Sequence, residues 1–238
     1  MDLMQPFIDP AAVARYAEAT PQRVPGFADL HRMALILLAE KAPEAAHILV
    51  LGAGGGLELR AFAEARRDWS FVGVDPSQPM LDLAAHMVGS FGSQIQLVKG
   101  YVDDAPAGPF DGATCLLTLH FLSRPERLHL LRALRERLKP GAPLIVAHHT
   151  NPQGGKVEQW LTRSVAFAAG AQFDLAHAAI SAAGMAQHLP LLSAAEEEAL
   201  LQEAGFADVA LFYAGFSFRR WVAIACGSSG LFRPAITP

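Results

Sequence analysis

From about residue 27 onward, short apolar runs alternate with longer stretches whose apolar positions recur at helical spacing. GFADLHRMALILLAEKA (26–42) predicts a helix and HILVLGA (47–53) a strand. GLELRAFAEARR (56–67) predicts a helix, SFVGVD (70–75) a strand, SQPMLDLAAHMVGSF (77–91) a helix and IQLVKG (95–100) a strand. FDGATCLLTLHF (110–121) continues as a strand, RPERLHLLRALRERLK (124–139) as a helix and APLIVAHHT (142–150) as a strand. Continuous apolar strands separated by helices imply a parallel sheet covered on both faces.

The last quarter breaks that rhythm. Ser193 with Glu196 three residues on has the spacing of a capping box, and its helix should stop at Gly205. DVALFYAG (208–215) and FSFRRWVAIAC (216–226) follow with almost no connection, which forces an antiparallel pair. The expected fold is α/β: a Rossmann-like three-layer α/β/α sandwich whose seven-stranded, mostly parallel sheet ends in an antiparallel hairpin. Residues 151–192 are Ala-rich and helical in pattern, with interruptions expected near Gly170 and Gly184. No repeat or low-complexity linker divides the chain. The expectation is one domain, 1–238, with a helical N-terminal segment or lid over 1–46 and a helical insertion over 151–192 above the acceptor site.

Composition narrows the classes. Of 238 residues, 52% are hydrophobic and 18% charged, ample for a core, and the net charge of −4 argues against a nucleic-acid partner. The basic run Arg124–Gly141 fits a solvated helix face. No continuous apolar stretch is long enough to span a membrane, and MDLMQPFIDP lacks the basic-then-apolar order of a leader. Cys115 and Cys226 lie in apolar runs as expected buried thiols, which suits a cytoplasmic setting.

The chemistry concentrates at HILVLGAGGGLELRAF (47–62). Glycines at the tip of a buried strand admit close approach to the backbone, and ligands of open parallel sheets bind at the carboxyl ends of strands. Gly52 and Gly54 meet the first two positions of the dinucleotide pattern G-x-G-x-x-G, but the third falls on Leu57. The spacing present is instead G-x-G-x-G, closed by Gly56. Asp75 ends the second strand about 20 residues later, where a carboxylate accepts hydrogen bonds from ribose hydroxyls and repels a 2′-phosphate. In DPSQPM the alternative is a turn residue capping the next helix, but strand-end position and spacing favour the ribose role.

This glycine pattern resembles motif I of class I S-adenosylmethionine-dependent methyltransferases. VPGFADL, the glycine turn, VGVDPSQPMLDLA, FDGATCLLTLHFL, LRERLKPGAPLIVAH and LLQEAGFADV follow one another in the order of that family. QRVPGFADL and LTLHFLSRPERLHLLRALRERLKPGAPLIV look most like the branch containing carboxy-S-adenosylmethionine synthase. Four positions depart from that branch: Phe27 replaces a tyrosine, Tyr101 an acidic residue facing adenine, and Leu116 an asparagine. No arginine near Ala182 stands ready for an extra carboxylate. A buried carboxylate lacking a cationic partner is costly, so the synthase reaction itself is not expected.

The resemblance implies S-adenosylmethionine as cofactor, with its methionine part against Gly52, Ala53, Gly54 and Gly56. Asp75 and Pro76 complete the near side, and Phe27, Tyr101, Val102 and Leu117 the rest of the cofactor set. Tyr101 is suited to stack on the base, and Asp103 or Asp104 to replace the missing acid; the alternative is that both aspartates only decorate a loop.

Methyl transfer from a sulfonium needs alignment and dryness rather than a triad or metal. A base serves only if the acceptor loses a proton, and histidine suits that role near neutral pH. His120 leads, at the carboxyl end of the fourth strand, as the expected catalytic residue. His148 and His149 come next; as strand neighbours they face opposite ways and do not share a metal ion, and no metal is expected. His177 and His188 lie in the insertion. Tyr16, Phe27, Trp160, Phe167 and Phe173 are expected to line a pocket for a small hydrophobic or aromatic acceptor, with Arg163 available to an anion; core or homodimer packing explains the same aromatics. Two rival functions stay open: a degenerate methyltransferase fold that binds without catalysis, and an NAD-dependent oxidoreductase.

Overall fold

A computed structural model describes residues 5–152 and 156–227. Residues 1–4 of the expected N-terminal segment, 153–155 of the expected insertion and 228–238 lie outside the described residues.

The chain opens with α1 (Gln5–Ile8), α2 (Pro10–Arg23) and α3 (Phe27–Ala39), then enters β1 (His47–Leu51). Helices and strands alternate through α4 (Leu57–Ala65), β2 (Ser70–Asp75), α5 (Gln78–Val88), β3 (Ile95–Lys99) and β4 (Gly112–Leu116). Next come α6 (Arg124–Arg137), β5 (Pro143–His149), α7 (Val157–Ala168) and α8 (Leu175–His188). The chain finishes with α9 (Ala194–Glu203), β6 (Phe206–Gly215) and β7 (Phe218–Ala225). The sheet order is β3-β2-β1-β4-β5-β7-β6. The first five strands are parallel, β7 runs antiparallel to β5, and β6 antiparallel to β7. This is the expected sandwich. It parts from a dinucleotide fold where β7 runs against β5 in place of a parallel sixth strand.

β1 shows why the sheet is covered twice. Leu49 and Leu51 face one core with Leu131, Leu134 and Leu200 of α6 and α9. Ile48 and Val50 face the other, with Leu30, Leu38, Leu59 and Phe62 of α3 and α4. A strand buried on both sides has no polar alternation, hence the unbroken apolar run. The capping box forms as expected: the Ser193 N–H donates to Glu196 Oε2 (2.8 Å) and the Glu196 N–H to Ser193 Oγ (3.3 Å). α9 ends before Gly205 at φ +94°.

Two local expectations fail. The fourth strand was expected through Phe121 but stops at Leu116, because Leu117 turns to φ +58° and Leu119–Phe121 form a 3-10 turn. Gly184 does not interrupt α8; the break falls at Gly170, φ +67°. A helix-interior glycine costs only about 1 kcal/mol against alanine, and the Ala-rich flanks carry the helix across. Cys115 is buried, whereas Cys226 is only half-buried. β6, the edge strand, shifts register between Ala207 and Ala210 and again between Leu211 and Tyr213, with Asp208 at φ +50°.

Candidate active site

Gly52, Gly54 and Gly56 adopt φ of +75°, +51° and +78° after β1, a path closed to most side chains. The N–H groups of Gly52 and Ala53 both donate to Val74 O (2.9 and 3.0 Å), tying the bend to β2. At Gly56 a Cβ would lie 2.8 Å from Ala84 Cα, so this glycine lets α5 pass. Asp75 reaches the same bend. Its Oδ2 accepts the Gly54 N–H and its Oδ1 the Ser77 N–H, each at 2.9 Å. The turn-and-cap reading of Asp75 is the one these bonds show: a single carboxylate joins the glycine bend to the start of α5. Burial raises its pKa above the ordinary carboxylate value, and the two N–H donors oppose the rise.

The bend is not bare, contrary to expectation. Tyr16, on α2, lies across it: a Cβ at Gly55 would meet Tyr16 Cδ1 at 2.9 Å, and one at Gly54 the Tyr16 hydroxyl at 3.2 Å. Thr118 covers Gly52. The N-terminal helices reach this place because Ser77 Oγ donates to Phe7 O (2.5 Å) and Phe7 packs edge-on against Phe121 (5.6 Å between centroids). Burial pushes the Tyr16 hydroxyl up to about 12, and the negative charge of Asp75 adds to the rise.

Gly52, Ala53, Gly54, Gly56, Asp75 and Pro76 thus converge on one corner. Val102 is buried just past β3, while Tyr101 beside it is 64% exposed. Neither aspartate substitutes freely for the missing acid: Asp104 Oδ2 accepts the Tyr101 N–H (2.8 Å), and Asp103 meets His129 Nε2 (2.9 Å). Phe27 and Leu117 pack together with Val24, Phe218 and Leu57 in a small apolar cluster.

Beyond Tyr16, a cavity of about 830 Å³ opens between α2, α8 and the carboxyl ends of β4 and β5. Leu117, His120, Phe121, His149 and Phe218 line its sheet side, Tyr16, Thr20 and Arg23 its α2 side, and Ser181, Met185 and His188 its α8 side. Burial holds His120 well below the ordinary histidine pKa and His149 at about 3, so both rings are neutral near pH 7. Their centroids are 5.1 Å apart with the rings perpendicular.

Other candidates fall elsewhere. His148 faces the opposite side of the sheet, where its Nε2 lies 3.0 Å from Glu197 Oε1 and its ring beside Trp221. Strand alternation removes it from the cavity. His177 is exposed on α8 outside the lining. Phe167 and Phe173 line a separate surface groove with Arg163 and Phe216, because the α7–α8 turn points away from the cavity. Trp160 packs under Arg163, 4.3 Å from its guanidinium, and Phe27 packs with Val24 and Phe218 but is itself outside the cavity lining. The residues missed by sequence reasoning, Thr20 and Arg23 among them, share the helical spacing of Ala12, Tyr16, Ala19, Thr20 and Arg23 along α2. That stripe was the available signal.

Comparison with known proteins agrees with this geometry. Residues 49–144 match the family model described as a methyltransferase domain. The carboxy-S-adenosyl-L-methionine synthase of Dichelobacter nodosus is 23% identical over 218 residues, 91% of each chain. That of Campylobacter lari is 25% identical over 132 residues, 56% of each chain. Among solved structures, an O-methyltransferase of Nostoc punctiforme described as putative superposes with a TM-score of 0.65 at 20% identity, covering 90% of this chain and 60% of that one. Human N-acetylserotonin methyltransferase, solved with S-adenosylmethionine, gives 0.63 at 16% identity, covering 92% and 57%. This chain therefore spans about 60% of the length of those two structures. Residues 49–144 thus match a methyltransferase domain, and by sequence pattern and by fold the chain is similar to the class I S-adenosylmethionine-dependent methyltransferases.

Proposed function

We propose that this chain transfers a methyl group to a small acceptor with an apolar or aromatic body and a protic heteroatom. The observation that carries the reading is the cavity, whose largely apolar wall converges on two neutral imidazoles at the carboxyl ends of the parallel strands.

The corner beside the cavity fits the cofactor. Its backbone runs at left-handed φ without a Cβ, and Asp75 keeps lone pairs beyond the two it commits to Gly54 and Ser77. Gly52, Ala53, Gly54 and Gly56 would hold the methionine part, Asp75 and Pro76 the ribose, and Phe27, Tyr101, Val102 and Leu117 the remainder. When bound, S-adenosylmethionine supplies a methyl group already activated on a sulfonium. Tyr16 occupies the space against Gly54 and Gly55, so its ring must leave the glycines before a ligand lies there. The α2 and α8 walls then exclude water, and His120 and His149 meet the acceptor's heteroatom. A neutral imidazole accepts that atom's proton without first losing one of its own. The helices of the 151–192 segment serve this reading through α8, which closes the acceptor side.

Thermal unfolding with a ligand panel tests the cofactor half. S-adenosylmethionine and S-adenosylhomocysteine should raise the midpoint, by about 2.7 kcal/mol of stability at one hundred times the dissociation constant, while NAD and NADP should not. Asp75→Asn should abolish the shift; alanine is the poorer variant because it strands two backbone N–H groups. A larger shift with NAD would overturn the assignment. Radiolabelled methyl transfer to a panel of small phenols and aromatic amines tests the acceptor half, and no turnover on any member overturns that class.

A further inference from the structure

We infer that His149 is the residue that takes the acceptor's proton, and that a buried serine pair, Ser217 and Ser164, positions it; this rests on the methyl-transfer reading above.

Three elements meet at this ring. His149 ends β5, Ser217 lies in the β6–β7 turn and Ser164 on α7. His149 Nδ1 is 2.7 Å from Ser217 Oγ, and Ser217 Oγ is 2.6 Å from Ser164 Oγ. The Ser217 N–H also donates to Ser164 Oγ (3.3 Å), and Ser217 O accepts from the Thr150 N–H (2.8 Å) and hydroxyl (3.2 Å). Ser217 is fully buried and Ser164 is 4% exposed, so water does not compete for these bonds. Phe218 lies against the imidazole at 3.8 Å between centroids, which fixes the ring plane.

With the Nδ1–H donating to Ser217 and the Ser217 hydroxyl donating to Ser164, the lone pair remains on Nε2, while the ring itself lines the cavity. Among the described residues His120, its perpendicular neighbour, lacks such a tether: its Nδ1 is buried without a hydrogen-bond partner there. His120 therefore packs against the acceptor, and His149 does the acid–base work.

The proton balance suits a dry site. The acceptor's lone pair forms the bond to the methyl carbon as the carbon–sulfur bond breaks, its electron pair going to sulfur. His149 Nε2 receives the proton from the acceptor's heteroatom. One positive charge disappears from sulfur and one appears on the imidazolium, so the net charge within the cavity is unchanged. The burial that opposes an imidazolium in the free protein is offset by the sulfonium neutralised in the same step.

Long-range proton–nitrogen NMR on the nitrogen-15-labelled protein, with no acceptor added, reads the tautomer directly; a His149→Gln spectrum assigns the resonances. His149 should favour the Nδ1–H form by roughly tenfold, the preference one hydrogen bond confers. Ser217→Ala should bring the two forms near equality, Ser164→Ala part of the way, and Ser217→Thr should restore the preference. A parent protein with His149 in the Nε2–H form, or a distribution unmoved by both alanine variants, overturns the inference. On any phenol of the panel that turns over, His149→Gln should lower kcat about a hundredfold or more with KM little changed, and His120→Gln less. The reverse order overturns the assignment of the base. Failure of the methyl-transfer reading shows elsewhere, as an absent response to S-adenosylmethionine or a silent panel, with the tautomer result standing.

Discussion

The two faces of the sheet bury ionisable groups in opposite ways. On the α6–α9 face, charges are kept and paired. Arg127, fully buried, donates to Glu197, to Pro190 O (2.7 Å) and to Leu122 O (2.9 Å), and Glu197 also meets His148. Burial pushes the Glu197 carboxyl up, but its contacts with His148 and Arg127 hold its pKa below the ordinary value. On the α3–α4 face, beside the buried Arg220, two histidines and a glutamate are instead held neutral. Burial lowers His31 to about 4 and His149 to about 3, and raises Glu58 to about 8. His148 and His149 are sequence neighbours on β5, and one strand step moves the side chain from the Glu197 side of the sheet to the cavity side. Paired charges brace the scaffold from behind, while on the other side the neutral His149 lines the cavity.

Breaking the paired face should have the largest effect. Arg127→Met leaves Glu197 buried with less compensation and should cost about 3–5 kcal/mol in denaturant unfolding. On the α3–α4 face the dependence is on pH instead. Glu58 binds a proton in the folded chain that the unfolded chain has released between about pH 4.5 and 8, so stability falls as pH rises through that window. Glu58→Gln should remove this fall, gaining about 3 kcal/mol at pH 9 relative to pH 6. His149 has the opposite sign. Between about pH 6.5 and 3 the unfolded chain binds a proton that the folded one refuses, so stability falls as pH drops. Between pH 7 and pH 5, His149→Phe should remove about 2 kcal/mol of that acid fall while costing only about 1 kcal/mol at pH 7 through the lost Ser217 bond. Equal pH slopes in parent and variants would erase the distinction between the faces.

The layers, the glycine bend and Asp75 were legible because each is local: apolar runs mark twice-buried strands, and the bend and its acid sit at strand ends. Tyr16 was not, because the contact that places it on Gly54 and Gly55 spans almost forty residues and depends on a serine–carbonyl bond from α5 to α1. The end of β4 was misjudged because LLTLHF stays apolar while its backbone turns at Leu117. Alternation separates His148 from His149 without revealing which side is hollow. Phe167 and Phe173 show the same limit: aromatic character is visible in a sequence, but the direction in which a helical turn points is not.

The irregular β6 has a consequence for life at high concentration. An open sheet ends in unpaired backbone donors and acceptors, and a flat outer strand invites a second molecule to continue the ladder. Here the outermost strand is dislocated twice and twisted at Asp208, so a foreign strand finds no straight row to copy. The same kinks that spoil an ideal hairpin protect this edge of the sheet from fibril-like stacking.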